Sequence, residues 1–319
     1  MMSAAFGSGR RVAGVERLAG GSKKGSYRVQ LDGGVTALVY VWNPAEDFWQ
    51  GVLPSGSGDP ADPFSHASGL DLFEAAARRL QATGVRCPRL YLVDRSQELY
   101  PGDIAVVEHV PGGSLEALLE RDPAAARSPL GVVAGWLAAM EECRSASFGK
   151  VVVVDAGKAS RGGSCPRVVL DRALRELSEV CAREPRAARE GGRLEDLLRT
   201  LAERIEPRKW HGLVHGELGP DHVLLDRDGD PVLIDIEGLM YFDREWEHVF
   251  LRLRFGEHYS WLVRPDLDPG RLLFYRLAMH LNLVAGPLRI AAGGHPEREW
   301  FGWLAEQHLG RVLAFPEPG

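Results

Sequence analysis

The sequence has little cysteine, no excess of positive charge and no long hydrophobic run. Its four cysteines, Cys87, Cys143, Cys165 and Cys181, are scattered through 319 residues with no C-x-x-C pair. That spacing argues against a disulfide framework or a thiol-rich zinc site and makes a reducing, cytoplasmic setting the default. Lysine and arginine number 38 against 44 acids, a net charge of −6, so the basic footprint of a nucleic-acid binder is missing. The most apolar late segment, residues 272–288, is interrupted by Arg276 and His280, and the basic N-terminus lacks a continuous apolar core. Neither a membrane span nor a signal peptide is expected. Repeats and low-complexity segments are also missing. What is there, 45% hydrophobic and 26% charged residues, is ordinary for a globular enzyme and long enough for two lobes.

Residues 214–247 organise the rest. Val223, Leu224 and Leu225, and Val232, Leu233 and Ile234, are short apolar runs on either side of Asp228, Gly229 and Asp230, a turn signal that predicts a hairpin. Pairing those strands brings the loop holding Glu217 and His222 beside the loop holding Asp235 and Glu237. Four side chains able to handle metal or protons converge.

The stretch H-G-E-L-G-P-D-H followed by I-D resembles the catalytic and metal loops of the aminoglycoside and macrolide phosphotransferases, the protein-kinase-like small-molecule phosphotransferases, whose pattern is H-G-D-x-x-x-x-N and then I-D. His215 and Gly216 match, Glu217 stands where that group has its catalytic Asp, and His222 stands where it has a metal-binding Asn. The resemblance implies Asp235 as the main metal ligand, His222 as a second, Glu237 as a further metal or supporting group, and His215 as a brace for the loop. Asp243 and Glu247 look like the acidic element that follows. The chemistry asks for these types: phosphoryl transfer needs a carboxylate at the acceptor hydroxyl and ligands for Mg²⁺ at the phosphates. Mn²⁺ is the better match to an imidazole ligand.

Along the rest of the chain, residues 12–42 read as a twisted antiparallel sheet with a turn at Gly33 and Gly34. The small, basic loop of residues 20–26 could let backbone amides and lysines approach a phosphate, with Gly21, Ser22, Lys23 and Lys24 as candidates; a plain tight turn is the other reading. The resemblance implies a phosphate-binding lysine on the third strand, where Tyr40 stands. Lys23 or Lys24 could supply that charge from the glycine-rich loop, as in the with-no-lysine kinases, with Glu74 on a helix over residues 70–83 to orient it. Residues 54–66, rich in Pro, Gly, Ser and Asp, read as a long flexible insert. Residues 85–93 and 104–110 read as strands, the second running into a hinge where the resemblance implies that Glu108 to Val110 offer backbone groups to a nucleotide base.

Beyond residue 114 the pattern turns helical: 130–143, 170–182, 194–205, 246–254, 272–283 and 300–315, with residues 183–193 a solvated connection. His258, His280 and His295 lack metal-like spacing. Trp246, Trp261, Trp300 and Trp303 could line an acceptor pocket, although core packing is their commoner use.

The expected fold is therefore α+β and two-lobed, protein-kinase-like: residues 1–110 a nucleotide-binding lobe of five strands and one helix, residues 111–319 a helical lobe. The expected function is ATP- or GTP-dependent phosphorylation of a hydroxyl on a small molecule, such as an antibiotic or related natural product. Two other readings fit the same residues: a kinase-like protein that binds nucleotide without turnover, and nucleotidyl transfer. Acceptor identity and oligomeric state are not legible in the sequence.

Overall fold

The computed structural model describes residues 1–7, 9–18, 23–49, 52–53, 58–98, 100–293 and 297–316. A short helix α1 (Met2–Phe6) precedes β1 (Val12–Arg17), β2 (Gly25–Leu31) and β3 (Thr36–Trp42), then α2 (Leu70–Ala82), β4 (Leu90–Asp94) and β5 (Asp103–Glu108). The five strands form one antiparallel sheet in the order β1-β2-β3-β5-β4. β3 is central and almost wholly buried, so it is a continuous apolar run, while β2 alternates Val29 and Leu31 inward with Arg28 and Gln30 outward. One face, with Leu38, Tyr40 and Trp42, receives Phe73, Ala76 and Leu80 of α2. Val39, Val41 and Val106 on the other face pack with Met2 of α1.

The strand expected at residues 85–93 begins only at Leu90. Residues 85–89 turn toward the second half of the chain instead: Arg86 O accepts from Leu233 N at 2.8 Å, and Arg86 ion-pairs with Glu108 and Asp226.

After the hinge come α3 (Leu115–Arg121), α4 (Arg127–Glu142), β6 (Gly149–Lys150), α5 (Val151–Val154), α6 (Cys165–Arg183) and α7 (Pro185–Glu203). Ser114 caps α3 by accepting from Ala117 N. The expected connection at residues 183–193 is instead mostly helix. Pro185 opens α7 directly after Glu184, and Gly191 lies so close to Cys181 Sγ that a Cβ there would sit at 3.1 Å. Then β7 (Gly212–Val214), β8 (Val223–Leu225), β9 (Pro231–Leu233) and β10 (Met240–Phe242) lead to α8 (Arg244–Phe255), α9 (Pro269–Ala292) and α10 (Arg298–Leu313). Helices α6, α7, α9 and α10 share a core that includes Val169, Leu177, Leu198, Phe274, Leu281 and Leu309. Among the described residues no helix is long and apolar enough to cross a membrane.

Two small sheets position the loops. β8 and β9 pair antiparallel, Val223 opposite Leu233, and the turn is fixed by Asp226, whose Oδ1 accepts from Asp228 N and Asp230 N. β10 pairs with both β7 and β6, Met240 opposite Val214 and Lys150. The hairpin was legible in the sequence; β10, just before the acidic element of Asp243 and Glu247, is what returns the chain beside its starting point.

The insert of residues 54–66 is packed rather than flexible where it is described. Phe64 stacks with Phe242 and Trp246, centroids 5.4 and 4.8 Å away. Ser65 O and Oγ each accept from the buried Lys150 Nζ at 2.6 Å.

Candidate active site

β7 delivers His215, Gly216 and Glu217. His215 is buried and its Nε2–H donates to Ile234 O at 3.0 Å, joining the loop after β7 to the end of the hairpin. Burial lowers the pKa of this imidazole below its ordinary value, which keeps it neutral. Gly216 has φ +91°, and a Cβ there would meet Met240 Cε at 3.3 Å, so the turn requires glycine. Its N–H donates to Glu247 Oε2 at 2.6 Å. Glu247 therefore anchors the loop from α8. Asp243 is likewise structural: its buried carboxylate accepts from Tyr275 and Arg271. It also stands 3.6 Å from His211 Nδ1, which contacts Cys165 Sγ at 3.4 Å. With Arg271 and Arg208 beside it, this cluster already has its cations.

His222 Nδ1–H donates to Glu217 O at 2.7 Å. That bond leaves Nε2 facing Asp221 Oδ2 at 3.7 Å and Asp235 Oδ2 at 4.0 Å. Asp235 stands in the left-handed region, φ +55° and ψ +45°, a conformation costing about 1–3 kcal/mol for a non-glycine residue and found at functional sites. An oxygen and an imidazole nitrogen facing each other from two loops suit a divalent ion.

The lysines come from across the cleft. Lys23 Nζ lies 3.3 Å from Glu217 Oε2 and 3.7 Å from Asp235 Oδ2; Lys24 Nζ lies 3.3 Å from Asp235 Oδ1 and 2.6 Å from Glu237 Oε1. Burial opposes the ionisation of Asp235, but Lys23 and Lys24 outweigh it and hold the carboxyl well below the usual range. Lys23 also lowers the pKa of Glu217, an effect softened by water because that side chain is 60% exposed. Glu217 is thus an ionised, solvent-reachable carboxylate facing an ammonium, the state a general base needs.

One expectation changes and another narrows. Glu74 pairs with Arg95, not with either lysine, because Arg95 follows β4 directly and reaches α2 first. Glu237 is 3% exposed and spends its charge on Lys24 rather than facing open space as a metal ligand. Trp246 is core, and Trp261, Trp300 and Trp303 are exposed. Gly21 and Ser22 lie outside the described residues, as does His295. Glu108 ends β5 with its N–H donated to Arg89 O at 2.8 Å and its carboxylate on Arg86, and Val110 is buried just beyond. The Lys24–Glu237 pair escaped the sequence reading because its members are 213 residues apart; the doubled lysine was its only signal.

The model of the phosphotransferase enzyme family matches residues 15–267. The chain belongs to that family. No curated protein is a significant match in sequence. Among solved structures, a thermostable mutant of the aminoglycoside phosphotransferase APH(4)-Ia, in a ternary complex with AMP-PNP and hygromycin B, is 16% identical with a TM-score of 0.62, covering 99% of this chain and 98% of that one. The choline kinase LicA from Streptococcus pneumoniae is 15% identical with a TM-score of 0.61, covering 98% and 96%. A GDP complex of an aminoglycoside 2'-phosphotransferase-IIIa mutant is 18% identical with a TM-score of 0.62, covering 98% and 97%. These likenesses show a protein-kinase-like fold, an antiparallel five-stranded sheet followed by a mainly helical lobe.

Proposed function

We propose that this phosphotransferase-family protein transfers the γ-phosphoryl group of ATP or GTP to a hydroxyl of a small molecule, with an antibiotic or related natural product as the acceptor class. Residues 1–110 would bind the nucleotide, its base against the backbone of Glu108 to Val110 and its phosphates under the glycine-rich loop. Residues 111–319 would supply the chemistry and the acceptor pocket. Structural neighbours hold AMP-PNP in one case and GDP in another, which leaves both donors in play. The AMP-PNP complex also holds hygromycin B, and another neighbour is a choline kinase, which supports a small-molecule acceptor.

The observation that carries this reading is the meeting of Glu217 and Asp235 on one ammonium, Lys23, which brings a base, a metal-type carboxylate and a cation from three separate segments into one cleft. In the reaction, Glu217 takes the proton of the acceptor hydroxyl as its oxygen bonds to the γ-phosphorus. The bond from that phosphorus to the β–γ bridging oxygen breaks, and the nucleoside diphosphate leaves. His222 Nε2 and Asp235 would hold Mg²⁺ or Mn²⁺, which neutralises phosphate charge when bound. His215, by bonding Ile234 O, keeps both loops in register.

Incubation with γ-labelled and α-labelled ATP or GTP, Mg²⁺ and a panel of polyhydroxylated antibiotics and amino alcohols tests it. Label should pass to an acceptor from the γ position only. Transfer from the α position would mean nucleotidyl transfer, and bound nucleotide with no transfer to any acceptor would mean a protein that binds without turnover.

A further inference from the structure

Tyr40 stands on β3 where a phosphate-binding lysine is expected, and Glu74 on α2, the expected partner, is held by Arg95. The neighbouring strand offers a replacement. Ser26 pairs with Tyr40 across β2 and β3, and Lys24 lies in the bend immediately before β2, on the side of Tyr40. Its ammonium sits 5.1 Å from the centre of the Tyr40 ring, within reach of the ring's negative face. The backbone here has little freedom: a Cβ on Gly25 would lie 2.8 Å from the Glu46 carboxylate and 2.9 Å from the Tyr27 ring. Lys24 is 7% exposed, and its nearest anion is Glu237 at 2.6 Å, whose Oε2 is buried with no partner among the described residues. Lys23 differs. It is more exposed, and its carboxylates are Glu217 and Asp235, the two groups assigned to the reaction.

We propose that Lys24 is the lysine that anchors the nucleotide phosphates and that Glu237, two residues beyond Asp235 in the metal loop, is its positioning residue. The ion pair usually shared by the third strand and the helix behind it is thereby moved to the residue just before the second strand and to the metal loop. The inference rests on the phosphotransferase reading and adds to it a physical link: the loop that carries the metal ligand also aims the phosphate-binding ammonium. Burial would by itself lower the Lys24 pKa, but Glu237 and then Asp235 reverse this and keep the ammonium charged.

Calorimetric titration with the Mg²⁺ complexes of AMP-PNP and GMP-PNP, alongside melting temperatures without nucleotide, tests the assignment. Lys24→Ala should weaken binding by about ten- to a hundred-fold, the range for a charged hydrogen bond. It should also lower the melting temperature, because it leaves the Glu237 carboxylate buried and unpaired. Adding Glu237→Gln should restore the melting temperature and leave binding weak, a separation that a purely structural pair would not give. Lys24→Ala with Tyr40→Lys should regain affinity, since Lys24 lies on the side of Tyr40, and Glu74→Gln should leave it where it was. Wild-type affinity in Lys24→Ala, or in the Lys24→Ala, Glu237→Gln double variant, would overturn the assignment while leaving the phosphotransferase reading standing. If the wild type binds neither analogue, that reading fails and the assignment with it.

Discussion

Asp235 meets both lysines and faces His222, so the charge of the whole site turns on it. Asp235→Asn removes the anion but keeps the shape, and Mg²⁺-dependent binding of nucleotide analogue should be lost, read as the difference between titrations with Mg²⁺ and with EDTA. His222→Ala should weaken the same binding less, and Mn²⁺ should serve the wild type at least as well as Mg²⁺. A second residue-scale effect lies far from the cleft. His280 and His308 are buried with their Nδ1 atoms 2.9 Å apart, so one donates and the other accepts, and a further proton would set two N–H groups against each other. Burial, helped for His280 by its partner, pushes their pKa values down to about 3 and about 4. As pH falls below about 6.5 the unfolded chain protonates first, so stability is fully present above that pH and is lost toward pH 4 and below. Each proton contributes a slope of up to about 1.4 kcal/mol per pH unit. In urea titrations the His280→Leu, His308→Leu double variant should lose less stability than the wild type between pH 7 and pH 5. Glu217, His222 and Asp235 were legible as candidates because their spacing is local; the partners of Lys24 and Glu74 were not, because opposite charges abound and only the fold decides which meet.

Among the elements, the segment between β3 and α2 does more than its composition suggests. Its Gly, Pro, Ser and Asp content signals a loop, yet Phe64 packs against both Phe242 and Trp246, with the Arg172 guanidinium 4.6 Å from the centre of its ring. Lys150 is bound to Ser65 from β6, with no carboxylate in contact among the described residues, and burial pushes its pKa down to about 8. A segment from the sheet half of the chain is thus fastened into the helical half. Phe64→Ala should cost about 2–3 kcal/mol, below the full value for a core phenylalanine because the ring is only partly buried. Limited proteolysis should then cut within residues 58–66 faster than in the wild type. The single aromatic was a weak signal for this anchor, since nothing nearby in sequence marks where it docks. The same limit hid β10, a strand of three residues defined by partners about thirty and ninety positions away. It also hid the start of α7, where two glycines and many charges resemble a loop until the packing against Cys181 is seen. Long periodic segments such as α6 and α9 were legible because their apolar spacing is itself the packing face.

Across the whole molecule, the two halves meet through charge at the cleft and through apolar and hydrogen-bonded contacts beside it. Lys23 and Lys24 reach Glu217, Asp235 and Glu237 in front, while Phe64, Ser65 and Lys150 hold the flank. Arg86 O and Gly113 O tie residues near the hinge to the β8–β9 hairpin. An arrangement held from several sides costs little reorganisation when substrate arrives, the condition under which a fixed carboxylate and fixed cations act efficiently. On the proposed function, this cleft transfers a phosphoryl group with Glu217 as the base. The most direct measurement is the single-turnover rate of label transfer from γ-labelled nucleotide to acceptor in the wild type and in Glu217→Gln. The substitution should slow transfer by about 10²–10⁴-fold while Mg²⁺-nucleotide affinity stays within a small factor, and equal transfer rates in the two proteins would contradict the claim.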